Sequence, residues 1–296
     1  MDLTPLDFTH LPQLEQRLAL IPSLFSEYSA ANLYLFREVH QYKIEKRFSF
    51  IAGKDRKTRP ILIPLIPFHL LSELPSTWGY FLEQGYSLYP LSLEQAMFIE
   101  RRLPWDSEKD FDPDDSDYLF DRHHLATLAG RHLSAKRNHI HQLLNAYPEA
   151  HLEPLVGHEI PLLEPLLTRW SQAHQGLQTD NSSLIEALVH QKRLGLQGFV
   201  LKIDAKIIGL SLGEARALSW LFHFSRTDPA YKGATSYLYQ QTALALPQAI
   251  DTLNMEQDMG LRGLRQAKHS FEPKEWLKKF RLKKKQAGWL SSNPVQ

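Results

Sequence analysis

Apolar and polar positions along this chain follow two periods, and each change of period marks a predicted element. Leu14, Leu18 and Ile21 recur at helical spacing until Pro22 interrupts them, and Tyr34, Leu35 and Phe36 belong to a second, aromatic helix. Phe48–Ile51 and Ile61–Ile63 are short apolar runs on either side of a charged turn, Gly53 to Arg59, which predicts a hairpin. A helix follows over 72–84, then a strand from Tyr86 to Pro90 and a helix through Leu93, Met97 and Ile99. Ser134 is placed to N-cap a helix running to Tyr147, with Ile140, Leu143, Leu144 and Tyr147 toward the core. Helix breakers from His151 to Pro161 mark a boundary. Beyond it, helical spacing returns through Leu166, Leu167 and Trp170, and again through Ile185, Leu188 and Val189. Strands are predicted at Gly198–Ile203, Lys206–Glu214 and Ala217–Phe224, the first two joined at Asp204-Ala205. A helix over Ser236–Leu246 and a strand from Ile250 to Leu253 lead to a last helix within 254–268.

Helix, helix, three antiparallel strands, helix, strand, helix is an α+β order, and the first half repeats it in blurred form. The expectation is two domains, 1–152 and 153–296, each a mixed, mostly antiparallel sheet flanked by helices. With 296 residues, 43% of them hydrophobic and 23% charged, the chain has material for globular cores. A net charge of +1 gives no global argument for nucleic acid. The charge is unevenly placed, however. Asp106 to Asp117 holds seven acids and one lysine, and residues 261–296 hold ten Lys/Arg against Glu272 and Glu275. The acidic run is expected to be a loop; its alternate Asp110, Asp112 and Asp114 miss the glycine and the final glutamate that a calcium loop requires. The basic end carries two readings, a surface for anionic membrane or RNA and a closing segment packed through Trp276, Leu277 and Phe280.

The absence of cysteine excludes disulfides, thiolate metal sites and a cysteine nucleophile, and fits a cytoplasmic location. No secretory leader is visible, and no stretch reaches the roughly 18–20 apolar residues that span a bilayer. Neither His123-His124 nor His139 with His141 has the spacing to share a metal on a helix, so no metal site is expected.

Chemistry concentrates in 254–268. Asn254, Glu256, Gln257 and Asp258 gather at the end of a strand, where a turn into a helix exposes backbone N–H groups. Arg262, Arg265 and Lys268 fall on one side of that helix, and Leu261, Leu264 and Ala267 are spaced as its apolar side. A solvated basic helix face is the plain alternative. Lys136 and Arg137, in the first turn of their helix, oppose its dipole and invite an anion.

The run Asn-x-Glu-Gln-Asp-x-Gly-x-x-Gly-Leu-Arg-x-Ala-Lys, from Asn254 to Lys268, resembles the signature of the bacterial DUF2156 family. That family is grouped with the C-terminal domain of phosphatidylglycerol lysyltransferase and is related to the Fem aminoacyltransferases. Asp117–Phe120 with Ser134–Ile140, and Thr227–Gly233, agree with it in the same order. The resemblance implies two GNAT-like domains in tandem, the cleft in the C-terminal one, and transfer of an aminoacyl group from aminoacyl-tRNA to a lipid or other amine or hydroxyl acceptor. It also implies that the membrane-embedded part of the full lysyltransferases is absent from this chain, with the protein cytoplasmic or peripheral to the membrane.

On that reading the catalytic candidates are Glu256, Asp258 and Lys268. Either carboxylate could orient an amino group or act as base, and Lys268, Arg265 or Lys232 could stabilise negative charge. Lys136, Arg137, Asn138, Tyr231, Lys232, Gly233, Asn254, Gln257, Arg262 and Arg265 are the candidate substrate-binding residues. Ala230-Tyr231-Lys232-Gly233-Ala234-Thr235 stands where a GNAT enzyme has its CoA loop, but keeps one glycine and lacks the leading Arg/Gln, which disfavours acetyl-CoA as cofactor. No nucleophile elbow occurs, so direct transfer is the expected route. The implied partners are tRNA, a small-molecule acceptor and an anionic lipid surface met by the basic C-terminus. Two other classes stay open: a CoA-dependent N-acyltransferase and a non-catalytic ligand-binding protein.

Overall fold

The computed structural model describes residues 2–68, 76–174 and 180–285. Strand β1 (Leu3–Pro5) leads into helix α1 (Leu11–Leu18), which buries Leu11, Leu14 and Leu18 as their spacing predicts. Helix α2 (Ala30–Leu35) is buried on every side and is capped by Ser29, whose hydroxyl accepts from Asn32 N. Strands β2 (Lys43–Glu45), β3 (Phe50–Lys54) and β4 (Pro60–Pro64) form an antiparallel meander that contains the predicted hairpin. Helix α3 (Ser76–Glu83) crosses over to β5 (Ser87–Leu91), which runs parallel to β4. Residues 72–75 of the predicted helix lie outside the described residues. Helix α4 (Leu93–Glu100) starts at a capping box, Ser92 with Gln95.

The acidic run is not a loop. Strand β6 (Ser107–Phe111) takes its first part, a single 3-10 turn at Pro113–Asp115 follows, and β7 (Asp117–Asp121) begins at its end. Helices α5 (Arg122–Thr127) and α6 (Ser134–Ala146) follow. Leu133 takes the N-cap position of α6 and no side chain caps it, so Ser134 is its first residue rather than its cap. Strand β8 (His151–Pro154), helix α7 (Glu164–Ala173) and helix α8 (Asn181–Val189) precede three long antiparallel strands, β9 (Gln197–Ile203), β10 (Lys206–Arg216) and β11 (Ser219–Thr227). Helix α9 (Ala234–Ala245) returns the chain to β12 (Thr252–Asn254), parallel to β11. Helix α10 (Arg262–His269), β13 (Glu275–Leu277) and β14 (Phe280–Lys284) complete it.

Two mixed seven-stranded sheets result. The first runs β1-β2-β3-β4-β5-β14-β6, and the second, read from its β8 edge, runs β8-β9-β10-β11-β12-β7-β13. Pair by pair the directions match, with only the fourth and fifth strands parallel in each. The sixth place is filled crosswise: β14, at the end of the chain, enters the first sheet, and β7, from the first half, enters the second. Charge explains the partners in the first case. Arg281 sits opposite Asp110 and Lys283 opposite Glu108, so the basic end and the acidic run neutralise each other as neighbouring strands. Arg281 is buried and bonds Asp55 at 2.6 Å, and Lys283 reaches Glu108 at 2.6 Å. The closing-segment reading of the basic end therefore describes 280–284, as a strand, whereas Trp276 in β13 is 46% exposed rather than core.

The chain divides into two compact units. One comprises Arg37–Asp112 with flanking residues up to Pro22 and from Lys278; the other comprises Ser23–Phe36 and Pro113–Leu277. The expected boundary between 152 and 153 falls inside β8 instead. Pro154 ends an edge strand, where prolines are tolerated, and Pro161 lies in the 3-10 helix Gly157–Leu163, so neither marks a linker. Trp78, Phe50 and Leu88 centre the core of the first unit; Phe120, Trp220, Leu238 and Leu253 centre that of the second. No described helix is long and apolar enough to cross a membrane.

Candidate functional site

The second unit carries a buried polar cluster on a strand irregularity. Strands β10 and β11 pair in step to Leu212↔Phe224, but Gly213 then pairs with Phe222. His223 is the extra residue of a β-bulge, a device that re-aims a side chain out of the regular alternation. Gly213 accommodates it: a Cβ there would lie 2.2 Å from the Leu221 carbonyl oxygen. The imidazole is wholly buried between two carboxylates, with Nε2 3.0 Å from Glu214 Oε1 and Nδ1 3.2 Å from Glu256 Oε1. Burial alone would push the pKa of His223 down. Hydrogen bonds and charge from Glu214 and Glu256 outweigh it and raise the pKa to about 9, so the ring is an imidazolium at neutral pH.

Segment 23–36 completes the cluster. The Ser29 hydroxyl donates to Glu214 Oε1, and Asn32 Nδ2 donates to Glu256 Oε1 at 3.0 Å. Burial works to raise the pKa of Glu214, but the imidazolium, Ser29 and the charge of Arg216 hold it below the ordinary value. The second oxygen of each carboxylate has no hydrogen-bond partner among the described residues, and each side chain is 17% exposed. The cluster thus offers two oriented carboxylate oxygens toward solvent.

Around it, the 254–268 segment is a scaffold. Asn254 Oδ1 accepts from Glu256 N at 2.7 Å, while its Nδ2 donates to Leu24 O at 2.7 Å and Asp117 Oδ2 at 3.1 Å. Asp117 also takes the Ser26 N–H at 2.8 Å. Glu256 has φ of 56°, a left-handed conformation uncommon for a residue with a Cβ. Lys268 sustains that loop: its ammonium donates to the carbonyls of Met255, Glu256 and Gln257 at 2.7, 3.1 and 2.6 Å. All three protons are spent on backbone, which leaves none for an oxyanion. Asp258, fully buried, accepts from Tyr118 Oη at 2.5 Å, Gly260 N at 2.8 Å and Arg265 Nε at 2.7 Å. Burial opposes its charge, but these donors win and hold its pKa at about 2, well below what a base needs. Arg265 also binds Asp114.

The helix α10 is inverted relative to its predicted faces. Lys268 is its buried residue, Arg265 is turned onto Asp258, and Leu261 and Ala267 face solvent with Arg262. Paired carbonyls and carboxylates, rather than apolar surface, decide which side docks.

The candidates on α6 and α9 lie elsewhere in the unit. Arg137 Nη1 donates to Gly130 O at 2.8 Å and also to Leu128 O, closing the end of α5. Lys136 Nζ stands 4.0 Å over the Phe271 ring, and burial pushes its pKa down. His139 is held below its ordinary value by burial, then by the charges of Lys232 and Lys136. Lys232 and Asn138 are exposed. Tyr231 Oη accepts from Lys206 Nζ at 2.8 Å. Gly233, with φ of 94°, opens α9, and a Cβ there would lie 2.2 Å from the His139 carbonyl oxygen. Its glycine requirement is thus met by packing on α6. No hydrogen bond joins these residues to Glu256 or His223 among the described ones.

Sequence reasoning missed Ser29, Asn32, Glu214 and His223. Glu214 and His223 carried a signal, as ionisable residues inside two apolar strand runs; Ser29 and Asn32 carried none. No group of three or more His, Asp or Glu among the described residues could hold a metal.

The family model described as phosphatidylglycerol lysyltransferase, C-terminal, matches residues 18–283. No curated protein matches the chain. Among solved structures, a conserved protein of unknown function from Bacteroides thetaiotaomicron superposes with a TM-score of 0.82 at 23% identity, covering 96% of this chain and 100% of that one. The C-terminal DUF2156 domain of a putative lysylphosphatidylglycerol synthetase from Agrobacterium fabrum gives 0.63 at 14% identity, covering 93% and 92%. The L-PGS of Bacillus licheniformis gives 0.60 at 12% identity, covering 94% and 93%. At such identities these superpositions speak for the fold.

Proposed function

We propose, for a chain that belongs to the family of the phosphatidylglycerol lysyltransferase C-terminal region, that its second unit transfers an aminoacyl group from aminoacyl-tRNA to a hydroxyl or amine acceptor. The observation that carries this reading is the Glu214–His223–Glu256 cluster, with one open oxygen on each carboxylate. With Arg216 and His223 both acting on Glu214, the open oxygen of Glu256 is the anionic group left for a cation, and an aminoacyl donor brings one as its ammonium group. Glu256 is the group we assign to orienting that ammonium. His223, already protonated at neutral pH, fixes Glu256 and is not the base.

Transfer is then direct. The acceptor oxygen or nitrogen attacks the ester carbonyl, the bond from that carbonyl to the ribose oxygen breaks, and the acceptor's proton ends on the ribose oxygen. Orienting the amino group places the ester carbon, and effective concentration supplies much of the rate. Lys232 and Lys136, whose charges both act on His139, form a cationic pair suited to donor phosphates. Asp258, Lys268, Arg265 and Asn254 act by holding the Glu256 loop. The matching strand order of the two sheets supports a reading of both units as GNAT-like domains in tandem. Acetyl-CoA is disfavoured because the one glycine of its expected loop serves helix packing.

The test is a single-turnover assay with a pool of tRNAs charged with radiolabelled amino acids, offered phosphatidylglycerol vesicles or soluble amines. Label leaving tRNA for an acceptor, at least a hundredfold slower in Glu256→Gln of unchanged melting temperature, is the expected result. Stabilisation by acetyl-CoA with no tRNA-dependent transfer would replace this reading by CoA-dependent acylation. Binding of charged tRNA without turnover would make the protein a binding module.

A further inference from the structure

The first unit contains a cavity of about 670 Å³ that no part of the transfer reading uses. That volume lies in the range of small-molecule sites. Its walls come from three places. Arg17 projects from the last turn of α1, Lys46 and Arg47 from the turn between β2 and β3, and Ser76 and Thr77 from the first turn of α3. Phe48 and Ile66 supply apolar lining.

Arg59, Lys109, Arg281 and Lys283 each meet a carboxylate. Arg17, Lys46 and Arg47 make no side-chain hydrogen bond or ion pair among the described residues, and all three line the one cavity. Of the two carboxylates in the lining, Glu45 is committed to Ser49, accepting its hydroxyl at 2.8 Å and its N–H at 3.3 Å. Among the described lining residues, three cations stand against Asp2 and Glu45, a net charge of one positive. Unpaired like charges brought together repel, and the repulsion is relieved by an anion. The turn that carries two of them is fixed: Phe48 N donates to Glu45 O at 2.8 Å, and Phe48 is held at φ of 54°, packed on the His10 ring at 6.0 Å. Such a turn presents Lys46 and Arg47 without having to order on binding.

We infer that this cavity is a binding site for a small phosphate-bearing molecule, its phosphate held by Arg17, Lys46 and Arg47 and its remaining part lying against Phe48 and Ile66. Guanidinium forks match phosphate oxygens, and the hydroxyls of Ser76 and Thr77 can donate to the same group. The inference stands apart from the transferase reading, since it uses residues of the first unit alone.

Isothermal titration of the full chain with inorganic phosphate, glycerol 3-phosphate and dihexanoyl phosphatidylglycerol below its micelle concentration tests it. Saturable binding of at least one probe, weakened tenfold or more in Arg17→Gln/Arg47→Gln and measurably in Lys46→Gln, is the expected result. Equal affinity for all three probes would mean that phosphate alone is read; preference for glycerol phosphate or for the lipid would assign the rest of the ligand. Melting curves of the unliganded variants confirm that each still folds. No binding by any probe, or undiminished binding in the double variant, would overturn the proposal.

Discussion

His223 Nδ1 lies 3.2 Å from Glu256 Oε1, and the imidazole has no exposed surface. A ring so placed keeps its proton to about pH 9 when folded, against an ordinary value of 6.5. Because folding raises this pKa, the stabilisation is fully present below about pH 6.5 and is lost as pH rises through about 9. The urea midpoint is therefore expected to fall between neutral pH and about pH 9, and to fall less in His223→Gln. Parallel profiles for the two proteins would show that the imidazolium is not held as described.

Asp258 has the opposite sign. Its pKa is depressed to about 2, so its contribution is present above the ordinary value of 3.8 and disappears as pH falls through about 2. Asp258→Asn leaves Arg265 and Tyr118 facing a neutral amide, and a loss of about 3 kcal/mol is expected from urea denaturation. A loss under about 1 kcal/mol would return Asp258 to the candidates for chemistry.

Lys268→Met keeps a side chain of similar length and removes the ammonium that ties three successive carbonyls. We expect faster amide hydrogen exchange confined to 254–261 and a stability loss of about 2 kcal/mol. Transfer should drop more than stability implies, because Glu256 loses its fixed position. Exchange unchanged in that loop would refute the role.

Three glycines make a graded prediction. Gly213→Ala and Gly233→Ala each drive a Cβ to 2.2 Å from a backbone carbonyl oxygen, and a cost of about 3 kcal/mol or more is expected at either position. Gly263, inside α10, has open space around it and ordinary helical geometry, so Gly263→Ala should stabilise by about 0.5–1 kcal/mol. Thermal melts of the three variants give the comparison directly.

Much of the element order was legible in local periodicity. The hairpins at β3/β4 and β9/β10, the crossover into β12 and the buried faces of α1 and α6 all follow from residue spacing. What escaped was set by partners far away in sequence. Ser107–Phe111 looks like a solvated acidic loop until Phe280–Lys284 lies beside it with the complementary charges. Lys268 looks like a surface lysine until the carbonyls of 255–257 turn toward it. Glu214 and His223 face each other only because a bulge displaces one residue, and no hydrophobic pattern encodes a one-residue slip of that kind.

The crosswise placement of β7 and β14 has a consequence for how the protein is made. A ribosome delivers β1 to β6 first, yet the place between β5 and β6 stays vacant until Phe280–Lys284 emerges. The strands β1 to β6 thus belong to the sheet completed by β14, whereas β7 waits for Thr252–Asn254 and Glu275–Leu277 to flank it. Domains that close on themselves fold one after another during synthesis. This chain instead defers both sheets to Glu275–Lys284, so a nascent chain stopped at residue 277 would hold an open gap beside the charged β6 that chaperones would have to shield.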